Sequence, residues 1–427
     1  MKSVEKLGTE AEGWLRELGQ FGADAIRGGV TRLLYTEEWV NAQLWIAEEM
    51  KQEGLEVRTD EVGNVYGRLS GTTPELRAIV TGSHVDTVVC GGIYDGSYGI
   101  VAAIIALREL KQRYGQPRRT IEAVSLSEEE GSRFPLTCWG SGSITGKYLV
   151  EDAVHIRSES EGLTLSDAMR DAVGKLIAGA GISLEPALRH DVEAFIELHI
   201  EQGGVLEEEG VALGIVDRIV GQKRATITVL GESNHAGTTP MHMRRDALHA
   251  SVAMIAALNE LASEAGAPLT FTVGSLQVEP NLSNVIPGKV VFTIDMRHPS
   301  DEKLQVYYDR AAAITEREAG RFGVDARIEL WMNEPSAGMN AGLRLLLEQS
   351  CIRSDASWKL MPSGAGHDAQ LFAAHCKTAM LFVPSRGGIS HSPFEYTPPA
   401  YLGTGIHGLI DLLYELAYTD VYEDEWG

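Results

Sequence analysis

The chain is poor in cysteine, short of positive charge, and without a long apolar run. Its four cysteines, Cys90, Cys138, Cys351 and Cys376, form no CxxC pair and follow no regular spacing. A chain of this length does not need disulfides, so free thiols in a reducing cytoplasm are expected. Lys and Arg number 37 against 60 Asp and Glu, a formal net charge of -23. A nucleic acid or an anionic membrane needs a basic face, so neither is expected as a partner. The acidic balance favours solubility and leaves the substrate open, because a site can be locally positive. The longest apolar run, residues 100–107, is too short to span a bilayer. Met1-Lys2-Ser3-Val4-Glu5-Lys6-Leu7 lacks the apolar stretch of a signal peptide. No internal repeat or low-complexity segment is present.

What remains is a globular composition, 44% hydrophobic and 23% charged over 427 residues. That is long enough for two domains and at least one large core. Residues 36–54 read as an amphipathic helix. Apolar runs at 78–81, 121–126 and 192–200 read as buried strands, with a helix over 98–114 between the first two. Such alternation predicts an α/β fold with a mainly parallel sheet. The pattern changes near Arg218. A strand (223–230), a helix (244–262), two strands (270–278 and 290–296) joined by a turn at Pro287-Gly288, a helix (304–320) and a strand (326–331) follow. The order β-α-β-β-α-β is the ferredoxin-like unit. It is expected as a domain over 218–331, inserted into a catalytic domain made of 1–217 and 332–427. A helix over 341–351 and a strand over 379–384 resume the first pattern.

The chemistry-bearing residues sit at strand ends in glycine-rich surroundings. They are Gly82-Ser83-His84-Val85-Asp86, Gly91-Gly92-Ile93-Tyr94-Asp95-Gly96 and Glu128-Glu129-Glu130-Gly131. Glu197-Leu198-His199-Ile200-Glu201-Gln202-Gly203 and Ile389-Ser390-His391-Ser392-Pro393 complete the set. In an open α/β fold those ends lie along one edge of the sheet, where ligands bind. Three histidines and two acids suit a hydrolytic centre of two divalent ions sharing a carboxylate. On a strand His84 and Asp86 share a face, so Asp86 can hold the ring of His84 in one tautomer. Of the adjacent acids Glu129 and Glu130, one can bind metal. The other can deprotonate the attacking water and then protonate the leaving nitrogen. Taken singly, each residue has an ordinary reading: a turn aspartate, a solvated charge run, a core histidine. Their joint occurrence is what points to a site.

In this order the segments resemble the M20 metallopeptidase-like amidohydrolases. Among these they are most similar to the branch of N-carbamoyl-L-amino acid hydrolases, β-ureidopropionases and allantoate amidohydrolases. The resemblance covers nearly the whole chain. It includes Gly231–Met241, Asn284–Gly288 and Ser363–Gln370 beside the segments above. It implies that His84 and His199 bind one ion, Glu130 and His391 the other, and that Asp95 bridges them. Glu129 is then the general base and acid. A histidine at 199, where M20 peptidases proper carry an acid, leans toward ureido and carbamoyl substrates. The resemblance further implies that His235 stabilises the oxyanion across a homodimer interface. It places Asn284 and Arg297 on the substrate carboxylate, which a guanidinium fork suits, and Gln202 on the ureido group. The alternative for Arg297 is an ion pair with Asp295 or Asp301. The implied activity is hydrolysis of a ureido C–N bond of allantoate in purine-ureide catabolism. The alternative is an N-carbamoyl-L-amino acid hydrolase of the same mechanism. Zinc or manganese is the expected metal, with cobalt or nickel also suited to mixed N and O ligands.

Overall fold

Four apolar segments lie side by side at the centre of the larger sheet, in the order Lys377–Val383, Val192–Ile200, Ala78–His84, Ile121–Leu126, all parallel. Every residue of the last three is buried, as expected of a parallel sheet covered on both faces. Antiparallel strands extend it, Val65–Leu69 and Glu56–Asp60 on one side and Leu213–Ile219 on the other. The computed structural model describes residues 2–158 and 160–420. Among these, the sheet has ten strands, and the architecture is mixed α/β with a large, mainly parallel sheet. The strand expected to stop at residue 81 continues to His84. Because the strands are parallel, His84, Leu126 and Ile200 end at the same edge.

Helices cover the sheet. Every residue of Ser97–Tyr114 from Ser97 to Leu110 is buried, the signature of a helix enclosed on all sides. It packs against Ala78–His84, Val4–Leu18 and Pro399–Tyr418. The latter two helices meet at glycines. A Cβ on Gly8 would lie 1.7 Å from the Pro399 carbonyl oxygen, and one on Gly403 would lie 1.9 Å from that of Val4. Any larger residue would push the helices apart. No helix among the described residues is long and apolar enough to cross a membrane, and all four cysteines are free.

The chain divides into two compact units. One takes the described residues up to Asp217 and from Gly338 onward; the other is Arg218–Ala337. The second unit runs Gly221–Leu230, Ala247–Ala265, Thr270–Glu279, Lys289–His298, Asp301–Phe322, Asp325–Glu334. Its four strands pair antiparallel, in the spatial order 270–279, 289–298, 221–230, 325–334. Lys289–His298 alternates half-buried and buried residues, so one face carries the core of Ile227, Val229, Phe292, Ile294 and Met254. Near the turn at Pro287-Gly288 the chain forms a second, two-stranded ribbon, Val285–Ile286 against Asn234–His235.

Candidate metal centre

His84 is the last residue of its strand and His199 the last but one of its own, and both are fully buried. Asp95 stands just before the Ser97–Tyr114 helix. Between them Gly96 has φ +61, and a Cβ there would lie 2.5 Å from the His84 ring. Only glycine allows both that backbone and that approach. His391 lies in the loop after Lys377–Val383 and takes φ +52.

Asp95 joins these histidines. Its Oδ1 lies 3.2 Å from His199 Nε2 and 3.6 Å from His84 Nε2, while Oδ2 lies 3.3 Å from His391 Nε2. The same His391 nitrogen lies 3.3 Å from Glu130 Oε1. One carboxylate therefore faces two donor groups, one through each oxygen. In each group, His84-Asp95-His199 and Asp95-Glu130-His391, the candidate ligand atoms lie within 4.8 Å of one another. Two of the imidazoles are set for ligation. Nδ1 of His199 lies 2.9 Å from the Ile200 carbonyl, and the Gly96 N–H donates to Nε2 at 3.1 Å. Nδ1 of His84 lies 3.2 Å from both the carbonyl and Oδ1 of Asp86. Proton on Nδ1 and lone pair on Nε2 is the form a metal needs. Imidazole nitrogens and carboxylate oxygens in this arrangement can hold divalent ions.

Asp86 does more than orient His84. Its Oδ1 accepts the Glu129 N–H at 3.0 Å and its Oδ2 the Glu130 N–H at 3.2 Å. It thus fastens the loop after Ile121–Leu126 to the end of Ala78–His84. Glu128 closes that loop from the other side, accepting the N–H groups of Gly131 and, at 3.0 Å, Trp139.

The electrostatics call for positive charge. Burial, then the neighbouring Glu130, pushes the Glu129 carboxyl well above the usual range. Burial and Asp86 do the same to Glu128, and burial and Glu197 to Asp368. Burial works against the Asp95 charge too, yet the imidazoles of His199, His391 and His84 hold it well below that range. Hydrogen bonding to Asp95 and Glu130 pushes His391 up to about 10.

Several supporting residues carried no role in the sequence. Glu395 Oε1 accepts the N–H groups of Tyr94 and Asp95 at 3.0 and 3.1 Å, and burial, then Asp95, raises its carboxyl to about 7. Glu197 takes Ser83 Oγ at 2.7 Å and the Ala369 N–H at 2.9 Å. His367 packs edge-on against the His199 ring, with centroids 4.6 Å apart. Its donor atoms form a further close group with those of Glu197 and His199. The quoted Ser363–Gln370 segment was the only signal for it. Arg32, 1% exposed, donates to the carbonyls of Val85 (2.6 Å), Leu18 (3.0 Å) and Phe21 (3.2 Å) and to Ser97 Oγ (2.9 Å). Gln202 lies beside Asp95. Its Nε2 donates to Asp95 Oδ2 at 2.9 Å, and its buried Oε1 has no hydrogen-bond partner.

Residues 80–415 match the model of peptidase family M20/M25/M40. The chain belongs to this family. The allantoate amidohydrolase of Bacillus subtilis (strain 168) is 48% identical over 405 residues, 95% of this chain and 97% of the relative. An N-carbamoyl-L-amino-acid amidohydrolase of Paenarthrobacter aurescens is 37% identical over 391 residues, 90% and 92% of the two chains. A crystal structure of an amidase of the hydantoinase/carbamoylase family from Burkholderia multivorans superposes with a TM-score of 0.89 at 32% identity. It covers 97% of this chain and 98% of that one.

The remaining candidates of this M20 chain lie in the second unit. His235 lies on the small ribbon and Asn284 in the turn just before its other strand; both are exposed, and the Ala236 N–H donates to the Asn284 carbonyl at 3.1 Å. The Gly237 N–H donates to His235 Nδ1 at 3.0 Å. Arg297 turns its fork onto Asp295, Nε to Oδ1 and Nη2 to Oδ2, both 2.9 Å. The pair is shared, since Arg224 Nε also reaches Asp295 Oδ2 at 2.8 Å.

Proposed function

We propose that the chain hydrolyses a ureido C–N bond of allantoate at a centre of two divalent ions, releasing ammonia and carbon dioxide. The observation that carries this is Asp95, whose two oxygens face two different donor groups. His84 and His199 would hold one ion, Glu130 and His391 the other, with Asp95 between them. Zinc or manganese suits this set, and cobalt or nickel is also accommodated. Bound ions supply Lewis-acid polarisation of the ureido carbonyl and of the attacking water. Glu129 takes the proton of that water and returns it to the departing nitrogen. Burial and Glu130 raise its carboxyl, the direction that favours its taking up the proton of the water. The C–N bond breaks, ammonia leaves, and the remaining carbamate loses carbon dioxide. Asp86 keeps Glu129, Glu130 and His84 in mutual register. Gln202 would contact the ureido group of the substrate; its unpartnered Oε1 supports that role.

The second unit, residues 218–331 and the few that follow, acts as a ferredoxin-like lid and dimerisation domain. His235 stabilises the oxyanion in the site of a second copy. Asn284 and Arg297 bind the substrate carboxylate, Arg297 after exchanging Asp295 for it. The enzyme works as a cytoplasmic homodimer. Allantoate is favoured by the 48% identity with the Bacillus subtilis allantoate amidohydrolase. The 37% identity with an N-carbamoyl-L-amino-acid amidohydrolase supports N-carbamoyl-L-amino acids as the second reading. Initial rates on allantoate and on a panel of N-carbamoyl-L-amino acids, with manganese or zinc added and metal content measured, test both. Turnover of carbamoyl amino acids alone would overturn allantoate as substrate. No turnover of either class by metal-loaded protein would overturn the function.

A further inference from the structure

A cleft of about 450 Å³ opens at the edge of the large sheet opposite the histidines, lined by Arg58, Arg68, Arg77 and Arg189 with Glu185 and Asp191 among its walls. Arg77 and Asp191 immediately precede the parallel strands that begin at Ala78 and Val192. His84 is seven residues along, roughly 23 Å at the rise of an extended strand. The cleft is therefore separate from the metal centre.

Guanidiniums dominate its lining, and each faces at least one carboxylate, Arg77 the buried Glu193. Four guanidiniums line it in a protein of net charge -23. Beneath them Glu122, fully buried, serves three. Its Oε1 takes Arg58 Nη2 at 2.7 Å and Arg68 Nε at 2.8 Å, and its Oε2 takes Arg189 Nη1 at 2.5 Å. Burial opposes the Glu122 charge, but Arg189, Arg58 and Arg68 hold its carboxyl below the usual range. A carboxylate offers about four lone-pair sites, fewer than the donors that three guanidiniums carry, so donors are left over. These are covered only from outside, by Glu185 and Asp191, whose side chains are 46% and 56% exposed. Asp191 grips Arg189 well, with two contacts of 2.8 Å. Glu185 does not grip Arg58. Its Oε2 lies 2.5 Å from Arg58 Nε, yet that buried nitrogen makes no hydrogen bond, because the oxygen sits off the N–H direction. Arg68 keeps 31% of its side chain open.

We propose that this cleft binds a phosphate-class oxyanion, held by Arg58 Nε and the exposed part of the Arg68 guanidinium, with Glu185 swinging out to admit it. A tetrahedral dianion brings more acceptor oxygens than the carboxylate it replaces, and Arg is the side chain suited to it. The volume leaves room for a phosphate ester as well as the free ion.

Calorimetric titration of the metal-loaded, full-length protein with inorganic phosphate, at ionic strength held constant with chloride, tests this. Arg68→Gln and Glu185→Gln are the variants, since both side chains are partly exposed and neither belongs to the metal centre. Phosphate binding at the metals persists in all three proteins and cancels in the comparison. One saturable site is expected in wild type beyond any at the metals. Arg68→Gln should weaken it by about tenfold or more, the worth of a charge-assisted hydrogen bond. Glu185→Gln should tighten it, because a competing carboxylate is gone. Metal content and hydrolytic rate should stay unchanged in both. Identical isotherms for the three proteins, or weaker binding in Glu185→Gln, would overturn the proposal. A sugar phosphate binding more tightly than inorganic phosphate assigns the site to a metabolite; equal or weaker binding assigns it to the free ion.

Discussion

Asp86→Asn is the most informative single change, because one carboxylate holds three pieces of the site. Oδ1 accepts the Glu129 N–H at 3.0 Å and faces His84 Nδ1 at 3.2 Å; Oδ2 accepts the Glu130 N–H at 3.2 Å. An amide has one acceptor oxygen, and its NH2 can only donate. If the oxygen serves Glu129 and His84, the NH2 meets the Glu130 N–H head-on. If it serves Glu130, the NH2 opposes both others. Either way a buried donor loses its partner, at a cost of about 1–3 kcal/mol, and the loop must shift. That loop carries Glu130, a candidate ligand, and Glu129, the candidate base. Metal affinity and turnover should each fall by about 10–100-fold, the usual effect of losing the group behind a ligand. Affinity is read by competition with a chelator, and kcat/KM on allantoate with metal in excess. The global fold should persist, since the Ala78–His84 and Ile121–Leu126 strands keep their own ladder. A variant within about threefold of wild type in both quantities would refute the inference that Asp86 sets the register of these residues.

Glu129→Gln should retain metal and fold while losing about two to four orders of magnitude in rate; near-normal turnover would remove Glu129 from the mechanism. In the metal-free protein His391 keeps its proton up to about pH 10. An ion must displace that proton, so apparent affinity should rise with pH, by up to about tenfold per unit below that value. Chelator competition at several pH values would show it, and a flat profile would count against His391 as a ligand. Arg32→Met strips three buried acceptors and one half-buried acceptor of their donor and should destabilise the fold by at least about 3 kcal/mol in denaturant titration. A loss of about 1 kcal/mol or less would mean water or a shifted donor had filled in. Arg297→Ala and Arg297→Lys should both raise KM sharply at unchanged metal content and thermal stability. Replacing the substrate carboxylate by a neutral amide should then matter to wild type and little to Arg297→Ala; equal preference would show that Arg297 does not read the carboxylate.

Two kinds of strand were legible in the sequence: those buried on both faces, and those of the second unit whose residues alternate in burial, such as Lys289–His298. Ile121–Leu126 and Val192–Ile200 carry the same boundaries in sequence and structure because every side chain in them is buried. Val4–Leu18 was not legible as a helix. Gly8 and Gly13 dilute its pattern, and Gly8 is there for contact with Pro399–Tyr418, a partner almost 400 positions away. Glu56–Asp60 and Val65–Leu69 were missed likewise, for Arg58 and Arg68 read as surface residues until Glu122 is seen between them. In the site, His84, Asp95, Glu130, His199 and His391 stood out because each lies in a glycine-rich or strand-end motif. Glu395 and Arg32 had no such flag. Their work is to satisfy backbone groups distant in sequence, and only the folded chain shows which. Arg297 reads equally as a substrate clamp or as an ion pair, since a fork that suits one carboxylate suits Asp295 as well.

The grip of Glu395 on the Tyr94 and Asp95 N–H groups spans about three hundred residues of chain. During synthesis, at roughly 5–20 residues per second, the loop bearing Asp95 leaves the ribosome well before its anchor is made. Through that interval His84, Asp95 and Glu130 exist without His391 and without the carboxylate that fixes their loop. A nascent chain that has passed His199 would therefore present one candidate group, His84-Asp95-His199, on an unfastened loop, while the Asp95-Glu130-His391 group waits for His391. In the proposed two-ion centre, sequence distance between ligand and anchor would thus order the filling of the two positions.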